Sequence, residues 1–164
     1  MNKKTLFITQ AAVIAAIYTV LVMVFNFASF GPIQSRVAEA LTILPYFTPA
    51  AIPGVAIGCF ISAILGGASI PDMVFGTLAT LVAAFISYRL RGNKYLVAIP
   101  PIVLNALVVP WVLKYSYGAP DAVPFMMLTV GVGELLSAGI LGMILLFALE
   151  KVKNILFPNR LITK

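Results

Sequence analysis

The chain is 164 residues long and 62% hydrophobic, with 11 Lys and Arg against 5 Asp and Glu, one Cys and no His. A run of about 20 apolar residues spans the hydrocarbon core of a bilayer, so this length allows roughly six or seven crossings and no separate soluble domain. The lone Cys59, set in an apolar run, excludes an internal disulfide and most thiolate metal sites, and reads as a small buried residue.

Helix 1 is predicted over about 5–28, with Lys3 and Lys4 before it and Gly31-Pro32 ending it in a turn. Its apolar stretch, Leu6–Phe27, is too long for a signal-peptide core and no small-residue cleavage pattern follows, so it is expected to be retained. Helix 2 is short, about 35–45. Wound as an α-helix it would rise only about 15 Å, half a bilayer, so it must tilt strongly or lie against other helices. Pro45, Pro49 and Pro53 bracket a tight connection into helix 3, about 50–66. After the loop Gly66–Pro71, Asp72 is expected to be the N-cap of helix 4, about 72–90. Helix 5 is placed at about 95–114 with Pro100 and Pro101 in its first turns, and helix 6 at about 124–149. No internal repeat is visible, which weighs against the inverted-repeat secondary transporters. The expected fold is all-α and integral to a membrane: one compact six-helix bundle, a single membrane domain over residues 1–164.

Basic residues orient it. Nine of the 11 lie at Lys3 and Lys4, at Arg89, Arg91 and Lys94, and at Lys151, Lys153, Arg160 and Lys164, leaving Arg36 and Lys114 for the other side. Cytoplasmic loops retain positive charge, so both termini and the 89–94 loop are assigned to the cytoplasm of a prokaryotic cell membrane. The +6 charge flanks spans and does not interleave with exposed aromatics, so it fits topology and anionic lipid better than nucleic acid.

Ionisable groups inside membrane helices are costly and usually face a cavity. Glu134 lies nine residues into helix 6, about 13.5 Å deep, and Asn105 lies nine residues inward from Lys114, at the same depth from the outer face. Together they can form the floor of an outward-facing pocket; alternatively they bond only to each other as interhelical glue. Arg36 and Glu39 stand three apart at the outer end of helix 2. They read either as an ordinary salt bridge or as a charged pair that gates the pocket and holds a polar ligand. Trp111, Tyr115, Tyr117 and Phe30 fall near the outer boundary, where belts of Trp and Tyr are routine. The competing reading stacks one or two of them on a flat ligand.

In helix 1, Ala11 and Ala12 are followed four residues later by Ala15 and Ala16, a small-residue stripe that serves internal packing or docks another membrane protein. Ala138 and Gly142 repeat the spacing in helix 6. No Walker A sequence, metal-ligand cluster, or Ser/His/Asp or Cys/His set is present, so uphill transport needs an external engine or an ion gradient. No cofactor and no catalytic residue are expected.

The segment Arg36-Val-Ala-Glu39-Ala-Leu-Thr-Ile-Leu-Pro45, then Thr48-Pro-Ala-Ala-Ile-Pro-Gly54 and Gly58-Cys59, resembles the QueT family. So do Asp72-Met-Val-Phe-Gly76-Thr-Leu-Ala-Thr80, Asn105-Ala106 and Val130-Gly-Val-Gly-Glu134. These blocks cover most of the chain, and the first is the specific one. The resemblance implies a substrate-binding (S) component of an energy-coupling factor (ECF) transporter that captures queuosine precursors, which are 7-deazaguanine bases. It implies partners too: a transmembrane coupling subunit, met through the alanines of helix 1, and two cytosolic ATPases, with the S component toppling to deliver its load. One departure stands out: Pro110-Trp111-Val112 follows Asn105 where the family pattern has a Gly and a Glu, which leaves base, nucleoside and differently substituted precursor open.

The residues suit that ligand class. A guanine-type edge presents adjacent N–H donors, which Glu134 or Glu39 can accept, while Asn105 serves a ring carbonyl or amino group and Trp111 or Phe30 stacks on the face. The other readings are an S component for another vitamin, a small facilitator, or a membrane scaffold whose buried polar residues only hold helices together. A membrane enzyme is weakest, because Glu39, Glu134 and Asp72 have no nucleophile or metal partner.

Overall fold

The computed structural model describes residues 2–25 and 36–157, and every regular element among them is helical. α1 is Lys3–Val24, opened by the Asn2 side chain, which accepts from the Lys4 amide at 3.4 Å. The predicted end of this helix near residue 28, and Phe30 beyond it, lie outside the described residues. α3 is Ala51–Leu65, α4 is Ile70–Arg89 and α5 is Ile99–Ser116. α6 runs from Val123 to Glu150, and a short α7, Lys153–Leu156, follows it. α1, α4, α5 and α6 are each long and apolar enough to cross a membrane. Large apolar side chains such as Ile8, Val13, Phe75, Leu78, Leu107 and Ile144 stand exposed along them, as surfaces facing lipid must. The chain is a multi-pass membrane protein.

Three expectations needed correction. Asp72 does not cap α4; Ser69 does, its hydroxyl accepting from the Asp72 amide at 3.4 Å, so the helix starts earlier and Asp72 sits in its first turn. α5 starts at Ile99 rather than near 95, with Pro100 and Pro101 in the first turn, where a missing N–H costs nothing. Residues 95–98 form turns instead. The largest difference is α2, Val37–Tyr46, which is wound as a 3₁₀ helix of 10 residues. At about 2.0 Å per residue it spans roughly 20 Å, further than an α-helix of the same length. From Ala38 to Pro45 every residue is buried. A helix apolar nearly all round belongs in a core, and α2 is enclosed by α1, α3, α4 and α6.

α1 and α3 pack closely because α3 presents glycines. A Cβ at Gly54 would lie 3.0 Å from the Ala11 carbonyl, and one at Gly58 would lie 2.9 Å from the Ala15 carbonyl and 2.7 Å from the Tyr18 Cβ. The small-residue stripe of α1 is therefore divided. Ala11 and Ala15 are buried against α3, while Ala12 and Ala16 face outward. α6 departs from α-helical winding over Leu135–Leu141, a π-helical stretch that ends at Gly142. A Cβ at Gly142 would touch Ile43 Cγ2 at 3.0 Å, so α2 presses against α6 there.

Gly58→Ala is expected to destabilise the fold by about 1–3 kcal/mol, since neither the Ala15 backbone nor the Tyr18 Cβ is the end of a flexible side chain. Gly131→Ala, whose Cβ would rest 3.6 Å from the Ala106 Cβ, should be nearly neutral. Thermal unfolding of the two variants in detergent compares them; equal melting temperatures would overturn the close-packing account.

Candidate functional site

Burying a carboxylate among apolar helices is costly unless its oxygens are paired, and this chain buries two. Glu39, in the first turn of α2, has no exposure at all, and Glu134 on α6 has 3%. Glu39 Oε1 accepts from the Tyr18 hydroxyl of α1 at 2.5 Å. Glu134 Oε1 accepts from Asn105 Nδ2 of α5 at 3.0 Å. Asn105 also interacts with Glu39, and the two carboxylates lie close enough to act on each other electrostatically. Tyr18, Glu39, Asn105 and Glu134 therefore form one buried polar group with a side chain from each of four helices. The equal depth expected for Asn105 and Glu134 is what their hydrogen bond requires.

The group is left incomplete in one respect. Glu39 Oε2, Glu134 Oε2 and Ser137 Oγ are buried without a hydrogen-bond partner. An unsatisfied buried acceptor costs about 1–3 kcal/mol, more when charged. Each of these buried oxygens is an acceptor able to take an N–H donor from a polar ligand. Ser137 lies in the π-helical stretch that begins directly after Glu134. Such stretches recur at functional sites, because the extra residue re-aims side chains.

The remaining expected residues make their direct contacts with other partners. Arg36 makes its ion pair with Asp72, at 3.9 Å, rather than with Glu39, yet it stays close enough to act electrostatically on both Glu39 and Glu134. Asp72 Oδ2 also accepts from the Tyr117 hydroxyl at 3.0 Å, and that hydroxyl accepts from the Ser69 amide at 3.0 Å. The start of α2, the start of α4 and the end of α5 are thereby tied together at one end of the bundle. Trp111 and Tyr115 are exposed and stack on each other, centroids 6.1 Å apart and planes at 9°. They line an apolar groove of about 510 Å³ with Pro71 and Phe75. The structure does not bring these two rings to the buried polar group.

Tyr18 and Ser137 are the residues that sequence reasoning missed. Tyr18 had a signal: a hydroxyl in the middle of an otherwise apolar helix needs a partner. Ser137 stands three residues after Glu134, the spacing that would put both on one side of an ordinary α-helix.

The chain matches the QueT transporter family over residues 8–151. It belongs to that family. Among curated proteins, the queuosine precursor transporter QueT of Lactococcus lactis subsp. cremoris (strain MG1363) is 41% identical over 83 residues. That alignment spans 49% of this chain and 48% of the relative, about half of each. No solved structure matches.

Proposed function

We propose that this protein is the substrate-capture component of an ECF-type importer. It binds a queuosine precursor, a 7-deazaguanine-type base, from outside the cell. The observation that carries this reading is the pair of buried carboxylate oxygens without a partner, Glu39 Oε2 and Glu134 Oε2, in the group that Asn105 joins. Adjacent N–H groups of a guanine-type edge match two such acceptors, and a carboxamide can serve the neighbouring carbonyl or amino group. A mostly apolar pocket with a few placed polar groups is the general form of a small-molecule site. Family membership and the substrate named for the Lactococcus relative point to the same ligand class.

Arg36 pairs with Asp72 and adds positive charge beside the two carboxylates. Trp111 and Tyr115 serve as boundary aromatics, and Phe30 remains a candidate stacking residue. Docking of the coupling subunit falls to Ala12 and Ala16, the outward half of the stripe, since Ala11 and Ala15 are consumed by α3. Two cytosolic ATPases supply the energy. The whole chain acts as one membrane domain with six crossings, and both termini lie in the cytoplasm.

Three outcomes follow. Glu134→Gln turns one acceptor into a donor facing the ligand's N–H groups, so affinity for 7-deazaguanine-type bases should fall at least about a hundredfold, with thermal stability nearly unchanged. Calorimetric titration and a melting curve measure both; normal binding with earlier melting would make Glu134 structural. Ala16→Leu should abolish uptake in cells while the isolated protein still binds ligand. Loss of both together would mean the residue packs internally. A cysteine at Gly92 should react with impermeant maleimide only from the cytoplasmic side and one at Ala119 only from outside, with buried Cys59 silent. Labelling of both from one side would refute the topology.

A further inference from the structure

A cavity of about 620 Å³ opens where α2, α4 and α7 meet. Arg89, Arg91 and Lys153 line its rim, and Phe47 and Phe157 form part of its wall, stacked with centroids 5.1 Å apart and planes at 11°. Three cations converging on one cavity repel one another unless something neutralises them. The chain has five acidic residues, all of them described. Glu39 and Glu134 are buried with Tyr18 and Asn105, Asp72 pairs with Arg36, and Glu150 pairs with Lys94 at 3.4 Å. Asp121 lies in the connection between α5 and α6. None pairs with a rim cation among the described residues.

The two guanidiniums are instead held by rings of their own helix and its end. Arg89 sits 5.0 Å above the Phe85 ring and Arg91 sits 4.3 Å above the Tyr88 ring. These ring contacts hold the guanidiniums in place, and no described residue accepts a hydrogen bond from either, the arrangement suited to bidentate capture of a phosphate. One turn along α4 from Arg89, the exposed Phe85, Leu81 and Leu78 continue an apolar track away from the cavity. A phosphate with an acyl chain fits both parts.

We propose that this cavity binds the phosphate of an anionic phospholipid headgroup, with the acyl chains lying along α4. Arg89 and Arg91 grip the phosphate, and Lys153 adds charge from α7. The site is separate from the carboxylate group and does not depend on the substrate assigned to it.

Native mass spectrometry of the full chain, titrated with phosphatidylglycerol or phosphatidylcholine, tests this. Arg89→Gln with Arg91→Gln should weaken phosphatidylglycerol binding by about tenfold or more. Lys3→Gln with Lys4→Gln, which removes equal charge outside the cavity, should change it by less than about twofold. Phosphatidylcholine should bind weakly in all three proteins. Inorganic phosphate is the second probe: failure to compete below millimolar levels supports the lipid. Competition at micromolar levels, lost in the arginine variant, would overturn the lipid and make the cavity a free-phosphate site. Equal loss in both double variants would reduce the effect to general charge attraction and overturn the site itself.

Discussion

Burial of two carboxylates in one apolar bundle is the constraint on which the rest of this structure depends. Each would cost several kcal/mol if desolvated alone, so the surrounding helices must deliver donors to them. Tyr18 can reach Glu39 only because α1 lies almost against α3. That approach exists because Gly58 leaves room for the Tyr18 Cβ and the Ala15 carbonyl. A missing side chain on α3 thus determines the hydrogen bond of a carboxylate on α2, with α1 as intermediary. The polar group and the packing of the bundle are one problem, and a change to the glycine is a change to the site.

Division of the α1 stripe follows from the same contact. A small-residue face wide enough to meet two partners cannot give all its residues to one of them. α3 takes Ala11 and Ala15, which leaves Ala12 and Ala16 on the outer side with Val13, Ile17 and Val20. The inner half is needed for stability and for placing Tyr18. The outer half contributes little to the isolated fold and is free to serve another membrane protein.

Much of this was legible in the sequence. Apolar run length places α1, α4, α5 and α6 to within a few residues, and Pro and Gly mark most of their ends. Asn105 and Glu134 were readable as a pair because depth along a helix is only residue count times rise. The Arg36–Asp72 ion pair was not readable, because Asp72 is 36 positions away and the i,i+3 neighbour Glu39 offered a nearer partner. Trp111 and Tyr115 were grouped with the site by depth alone; they are exposed and do not share a face of α5 with the buried Asn105. The 3₁₀ winding of α2 and the π-helical stretch of α6 were invisible, since residue spacing along the chain does not tell either from an α-helix.

The unusual winding of α2 has a consequence for the polar group. In an α-helix, side chains three residues apart drift around the axis by about 60°. In a 3₁₀ helix they eclipse. Glu39 and Thr42 therefore stack on one edge of a helix that is otherwise apolar, and the Thr42 hydroxyl donates to the Glu39 carbonyl at 2.6 Å, so its own burial is satisfied locally. α-Helical winding would turn Thr42 toward a different neighbour and shorten the helix by about 5 Å over its 10 residues. Glu39 would then no longer stand level with both Tyr18 and Asn105. A 3₁₀ run of this length has poorer hydrogen-bond geometry than an α-helix, and enclosure by four helices offsets that cost. The carboxylate is held at its height by the less stable of two windings, which the surrounding bundle enforces.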